Sequence, residues 1–358
     1  MIGLITINDY KNIGNRLQNY AMFNVLSHYG KTYNIIRFLG CEDKIKARIE
    51  MELCSDLIKN TIKFFLPGYH YSAKRYFAFK QFNRKIKNGE ILGKDTNYSK
   101  LNKRYCCFFT GSDQVWNPTF KGNGMYINML GFADENKCFA GCPSISIDDL
   151  TEKQKDEFTK YLSRFTALSC REAKGSEIIE SLTGKKCITL VDPTLLLQRS
   201  EWERIERKPI FHICCKFLLV YMLGEINDSY SEYIQSISKL EGLQIINITD
   251  KSSVYYSCGP SEFIYLVKRC DCIVTDSFHG LVFSLLFNKR IKVLRRVDAT
   301  TEMTSRFDSI FTALEMNKDV FLSNNKDKPV ELSFSVDKLE NERRKSKLYY
   351  ESIFQKKN

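Results

Sequence analysis

Short apolar runs rich in β-branched and aromatic residues recur along this chain, separated by helix-length amphipathic stretches, the pattern of repeated βαβ units. Strands are expected at residues 2–7, 32–38, 105–110, 137–141, 165–171 and 187–191, and again at 217–222, 244–248, 272–275 and 291–294. Helices are expected at 15–29, 151–164 and 173–182, then at 228–240, 261–269 and 279–287. In the first of these, Leu17, Tyr20, Ala21, Val25 and Leu26 recur at helical spacing. Every crossover is long enough for a right-handed parallel connection, so the fold class is α/β, with parallel sheets carrying helices on both faces. Residues 42–88 read as mainly helical and basic, broken at Pro67-Gly68.

A length of 358 residues exceeds one ordinary domain of roughly 100–200. The expected division is an N-terminal Rossmann-like domain over 1–198, a charged connection at 199–208, and a second Rossmann-like domain over 209–330. A long amphipathic helix within 331–358 then lies back across the first domain. Hydrophobic content of 43% supports two cores, and no apolar run approaches the roughly 18 residues a membrane span needs. The N-terminus lacks the cationic lead of a signal peptide and reads as a first strand, which points to the cytoplasm. Thirteen cysteines are scattered without a C-x-x-C pair. Cys138 with Cys142 and Cys270 with Cys272 lack a second pair at zinc-finger spacing, so buried reduced thiols and no metal are expected. A net charge of +12 suits an anionic substrate or an anionic membrane face, and no nucleic-acid module accompanies it.

The sequence holds no G-x-G-x-x-G, Walker A, G-x-S-x-G or H-E-x-x-H, so the commonest nucleotide, hydrolase and zinc chemistries are excluded. Attention moves to the strand ends, where doubly wound folds bind ligands. After the first strand, Asn12-Ile13-Gly14-Asn15-Arg16 puts a glycine at a strand-to-helix turn, either to admit a ligand to the helix start or only to make the turn and cap. After the strand at 105–110, Ser112, Asp113 and Gln114 surround Trp116, a polar cluster about an aromatic ring that suits a sugar; a packed Asx turn is the alternative. Arg171-Glu172 offers a guanidinium for a phosphate or carboxylate, or an ion pair with Glu172 or Asp192. Asp192-Pro193-Thr194 reads as a rigid turn into the interdomain connection.

The sharpest signal is Thr275-Asp276-Ser277-Phe278-His279-Gly280, a strand end followed by a histidine that opens a helix facing the first domain. Of four histidines, His28 ends a surface helix, His70 lies in an irregular basic stretch and His212 precedes a strand. His279 alone is placed as a base or hydrogen-bond relay.

In order and spacing these segments resemble the polysaccharide pyruvyl transferase family: the Asn12 to Asn15 turn, residues 111–118, Arg171-Glu172, residues 191–197 and residues 275–280. The resemblance implies two Rossmann-like domains facing a cleft, similar to GT-B glycosyltransferases. Phosphoenolpyruvate would be the donor, with no further cofactor, and the acceptor a sugar of a bacterial capsule, exopolysaccharide or lipid-linked precursor. A lipid-linked acceptor would bring the protein to the inner face of the cytoplasmic membrane. His279 matches the family's catalytic histidine and Arg171 an arginine that grips the donor. Ser277, Gly259 and Arg306 complete the expected donor side, and Asn15, Arg16, Ser112, Asp113, Gln114 and Trp116 the acceptor side. The family often carries arginine two residues before the histidine, where this chain has Ser277. Arg16, Lys216, Arg295 or Arg306 must then supply the charge, or the donor differs. Two other readings share these features: a GT-B glycosyltransferase using a nucleotide sugar, and a non-catalytic binding protein of a glycan-assembly complex.

Overall fold

A computed structural model describes residues 1–37, 55–66, 69–93, 95–119, 124–296, 304–323 and 327–355. Strand β1 (Ile2–Ile5) is buried along its whole length, as a central parallel strand covered on both faces must be. It pairs in parallel with β2 (Thr32–Arg37) and β4 (Cys107–Thr110). With β3 (Asn88–Leu92) and β5 (Cys138–Ala140) the order is β3-β2-β1-β4-β5. A parallel bridge from Phe139 to Ala167 carries the layer on to β6 (Leu168–Cys170) and β7 (Cys187–Thr189). The second sheet is also all-parallel, ordered β11-β10-β8-β9, from β8 (Phe217–Tyr221), β9 (Gln244–Asn247), β10 (Cys272–Thr275) and β11 (Arg290–Val293). The α/β reading of the sequence therefore holds.

In each sheet the chain builds outward on one side of a first strand, then returns to build on the other. The switch points lie between β1 and β4 and between β8 and β10, where a crevice opens beyond the strand ends. Helix α1 (Ile13–Ser27) leaves β1 after Asn12, whose side chain accepts from the Asn15 N–H and caps it. Asn15 is thus inside the first turn and is not the cap. Helices α2 (Ser55–Phe65) and α3 (His70–Asn83) follow, and His70 opens a helix where an irregular stretch was expected. Residues 38–54 and Pro67-Gly68 lie outside the described residues, and with them 42–54 and the break of the expected basic helical segment. Helix α4 (Glu152–Leu162) begins in a capping box of Thr151 and Gln154, and α5 (Ala173–Thr183) ends at Gly184 in the left-handed region. In the second half come α6 (Asp228–Glu241), α7 (Pro260–Arg269), the wholly buried α8 (Phe278–Leu286) and α9 (Thr304–Leu314).

The two halves share one core. Tyr20 of α1 and Phe283 of α8 both pack on the buried Trp202, at ring distances of 5.7 and 4.9 Å. Helix α10 (Val336–Gln355) lies back on the first sheet, where the Tyr349 hydroxyl donates to the Ala140 carbonyl at 2.7 Å and Phe354 stacks on Tyr29 at 4.7 Å. The eleven cysteines among the described residues are all free thiols, eight of them buried.

Candidate active site between two switch points

His279 is the second residue of α8, a helix capped by the Ser277 hydroxyl, which accepts from the Gly280 N–H at 3.4 Å. Its imidazole crosses to the first half. A Cβ built on Gly14 would overlap the ring at Nδ1, so the bare glycine of α1 is the seat on which the imidazole lies. Gly14 thus serves the histidine and not the direct approach of a ligand that its place in the sequence suggests. On its other edge, Nε2 lies 3.8 Å from Oδ2 of Asp192, just past the end of β7.

Asp192 is 1% exposed and is the hub of the site. Oδ1 accepts from the Thr194 N–H at 3.0 Å and hydroxyl at 2.7 Å, which fixes the carboxylate plane. Oδ2 accepts from Arg171 Nη1 at 2.7 Å and from the Ser112 hydroxyl at 3.4 Å. Burial by itself would raise the pKa of this carboxyl, but the charges of His279 and Arg171 and the Thr194 hydrogen bonds outweigh burial and hold it below its ordinary value. The group stays ionised beside the imidazole. The sequence reading gave Asp192 a turn-forming role and an ion pair with Arg171 as an alternative; an Asp-Pro at a strand end is that turn, and only the fold brings it to a histidine of the other half.

Arg171 is 4% exposed, its guanidinium 4.7 Å above the Phe278 ring and its Nε 3.8 Å from Glu172. Burial disfavours its charge, and Asp192 and Glu172 more than restore it, so the group remains a cation. The ion pair considered for it is present, yet Nε and Nη2 have no hydrogen-bond partner among the described residues. A cavity of about 40 Å³ adjoins it, lined in part by Asp192, Phe278, Ser309, Glu342 and Lys345.

On the first switch point, Asn15 donates to Asp113 at 3.0 Å and accepts from Arg16 at 2.9 Å. Arg16 is 1% exposed, also bonds the Ile7 carbonyl and lies 4.8 Å over the Tyr10 ring; burial brings its pKa down to about 10. Asn15, Arg16, Ser112 and Asp113 therefore meet at one place, with the half-buried Gln114 beside them. Trp116 does not join them. Its indole is fully buried against Phe165 and donates to the Asn128 carbonyl, so no ring face remains for the sugar stacking expected of it.

Two expected donor-side groups, Gly259 and Ser277, stand differently from the sequence reading. Gly259 opens α7, but its N–H donates to Glu262 at 3.0 Å and its Cα packs on α3, a Cβ there lying 2.9 Å from Ala78. That helix start is closed by protein. Lys216 is exposed at the opening end of β8, opposite the crevice, and Arg295 is exposed beyond β11. Arg306 falls in α9, and its side chain lies outside the described residues. Ser277 is 1% exposed and spent on capping. A residue not foreseen is Tyr221, fully buried at the end of β8, its hydroxyl pushed up to about 12 by burial.

Among solved structures, the chain is similar to UDP-GlcNAc 2-epimerase from Neisseria meningitidis at 11% identity and a TM-score of 0.46, over 99% of this chain and 93% of that one. It is similar to the Methanocaldococcus jannaschii UDP-GlcNAc 2-epimerase at 11% identity and a TM-score of 0.41, over 98% and 100%. It is also similar to the E. coli ADP-heptose LPS heptosyltransferase II at 9% identity and a TM-score of 0.34, over 100% and 99%. Likeness of this degree says nothing about chemistry. No curated protein matches the sequence. A sequence model of the family described as polysaccharide pyruvyl transferase matches residues 12–291, a span that runs from the cap of α1 through Asp192 and His279 to β11. The chain belongs to the polysaccharide pyruvyl transferase family.

Proposed function

We propose that the protein transfers a pyruvyl group from phosphoenolpyruvate to a sugar of a bacterial surface polysaccharide or its lipid-linked precursor. The observation that carries this reading is the contact of His279 with Asp192 across the two halves, beside the buried cation Arg171. In the reaction a sugar hydroxyl oxygen bonds to C2 of the enol ester while C3 takes a proton and becomes a methyl. A second hydroxyl oxygen then bonds to C2 as the C2–O bond to phosphate breaks, closing the ketal. Of the two hydroxyl protons, one is balanced by that gained at C3 and the other leaves with phosphate.

His279 is the group suited to move those protons, and Asp192 to orient its ring and stabilise the imidazolium, a division of labour worth about 10²–10⁴ in rate. Arg171, with Nε and Nη2 open, suits the phosphate or carboxylate of the donor and supplies the charge that Ser277 lacks. Asn15, Ser112 and Asp113 form the polar wall suited to the acceptor. His279, Arg171 and Asp192 are all nearly buried and the adjoining cavity of about 40 Å³ has room for water only, so substrates enter when the halves part.

The test is phosphate release from phosphoenolpyruvate in the presence of lipid-linked oligosaccharide extracted from the source cells, with donor binding followed by calorimetry. Release that depends on the glycan supports the reading. Thermal stabilisation by UDP or GDP without any response to phosphoenolpyruvate would replace it with nucleotide-sugar transfer.

A further inference from the structure

Of the eleven large apolar side chains exposed among the described residues, five fall within residues 62–69. They are Ile62, Phe64, Phe65, Leu66 and Tyr69, at the tip of the α2–α3 hairpin, with Phe65 79% exposed. Phe64 anchors the hairpin, its ring 6.3 Å from Phe77 of α3 and 5.5 Å edge-on from Phe65, and the other four each leave a large share of their surface to solvent. Scattered apolar side chains on a surface are ordinary; a cluster this tight marks a contact surface.

Charge identifies the partner. Residues 55–88 hold eight lysines and arginines against one acidic residue, Asp56. Lys63 lies over the Tyr69 ring at 5.6 Å and Lys74 over Phe64 at 5.9 Å, so cations rim the apolar tip. Aromatic and aliphatic side chains edged by lysine on a short amphipathic helix match the boundary of a bilayer with anionic headgroups, where apolar groups enter and ammonium groups meet phosphate. An eleven-residue helix is too short to span a bilayer, which takes about 20 residues, so it would lie in the interface.

The hairpin is also fastened to the second half. Arg75 of α3 donates to the Cys258 carbonyl at 2.7 Å and to those of Tyr256 and Ile248 at 3.3 and 3.4 Å, in the second half.

We propose that the tip of the α2–α3 hairpin docks on an anionic phospholipid surface through Ile62, Phe65, Leu66 and Tyr69, with Lys59, Lys63 and Lys74 at the headgroups. Vesicle binding needs no chemistry at His279, so either reading can fail while the other stands. The experiment is co-sedimentation of the full chain with vesicles of phosphatidylcholine alone and of phosphatidylcholine mixed with phosphatidylglycerol, at low and high salt, alongside sedimentation equilibrium without lipid. Binding to the mixed vesicles, weakened by salt, is expected. The double variant Ile62→Ser/Phe65→Ser should bind about tenfold more weakly, and Lys59→Glu/Lys63→Glu should lose the preference for anionic lipid. Lys59, Ile62 and Phe65 are exposed and Lys63 is half-buried, so thermal unfolding should change little. Absence of vesicle binding, or binding that ignores both variants, overturns the proposal. So does a dimer in solution that Phe65→Ser dissociates, which would make a second copy the occupant.

Discussion

At the scale of single residues, the arrangement turns on the absence of a Cβ at Gly14. Replacing glycine by alanine inside a helix ordinarily stabilises it by about 1 kcal/mol. Here the added methyl overlaps the His279 ring, so the ring must leave its place against Asp192. Gly14→Ala is expected to fold, to gain none of the usual stability and to lose roughly 10²-fold in kcat, since small misplacements of a reacting group cost that much. Steady-state kinetics beside a thermal melt checks this; a variant more stable and as active as the parent would show that the ring has another seat. Asp192 is tied to stability as well as to chemistry. Asp192→Asn leaves Arg171 buried without its carboxylate, a change expected to cost about 3 kcal/mol. The folded pKa of Asp192 is depressed, so its stabilisation is fully present above the ordinary value of 3.8 and is lost as pH falls through the lower folded value. Acid unfolding below pH about 4 should therefore be steeper in the parent than in Asp192→Asn, read from urea midpoints across that range.

At the scale of elements, the alternation of apolar runs and amphipathic stretches placed ten of the strands, because buried parallel strands are nearly continuous runs of β-branched and aromatic residues. The strand missed, β3, begins Asn88-Gly89-Glu90 and stands at the edge of the sheet, where half-burial leaves only Ile91 and Leu92 as an apolar signal. Trp116 was misread for a related reason: polar neighbours in sequence say where the chain turns, while its ring goes to the core packed on Phe165. Gly259 shows the same limit, since its small size serves the approach of α3, an element distant in sequence. That approach is secured by Arg75, which binds three carbonyls of the second half and lies over the Tyr256 ring at 4.6 Å. Arg75→Ala is expected to lower stability by about 1–3 kcal/mol, measured by urea unfolding. A change of only about 0.3 kcal/mol or less would mean that the hairpin holds on by its apolar contacts alone.

At the scale of the molecule, the candidate site belongs to neither half. His279 and its cap come from the second sheet's switch point, and Gly14, Ser112, Arg171 and Asp192 from the strand ends of the first layer. The histidine was legible in sequence because a strand end running into a helix marks a ligand position in any doubly wound sheet. Asp192 was not, because its partner is chosen by how two sheets pack and no spacing within one chain segment encodes that. Packing of α1 and α8 on Trp202 and the return of α10 to the first sheet set this closed arrangement. The central claim is that proton transfer by His279, with Asp192 behind it, drives pyruvyl transfer. The most direct measurement is the rate of glycan-dependent phosphate release from phosphoenolpyruvate by the parent and by His279→Ala, with donor binding followed in the same preparations. The expected result is release lost by about 10³-fold or more with donor binding retained; release by His279→Ala within tenfold of the parent would contradict it.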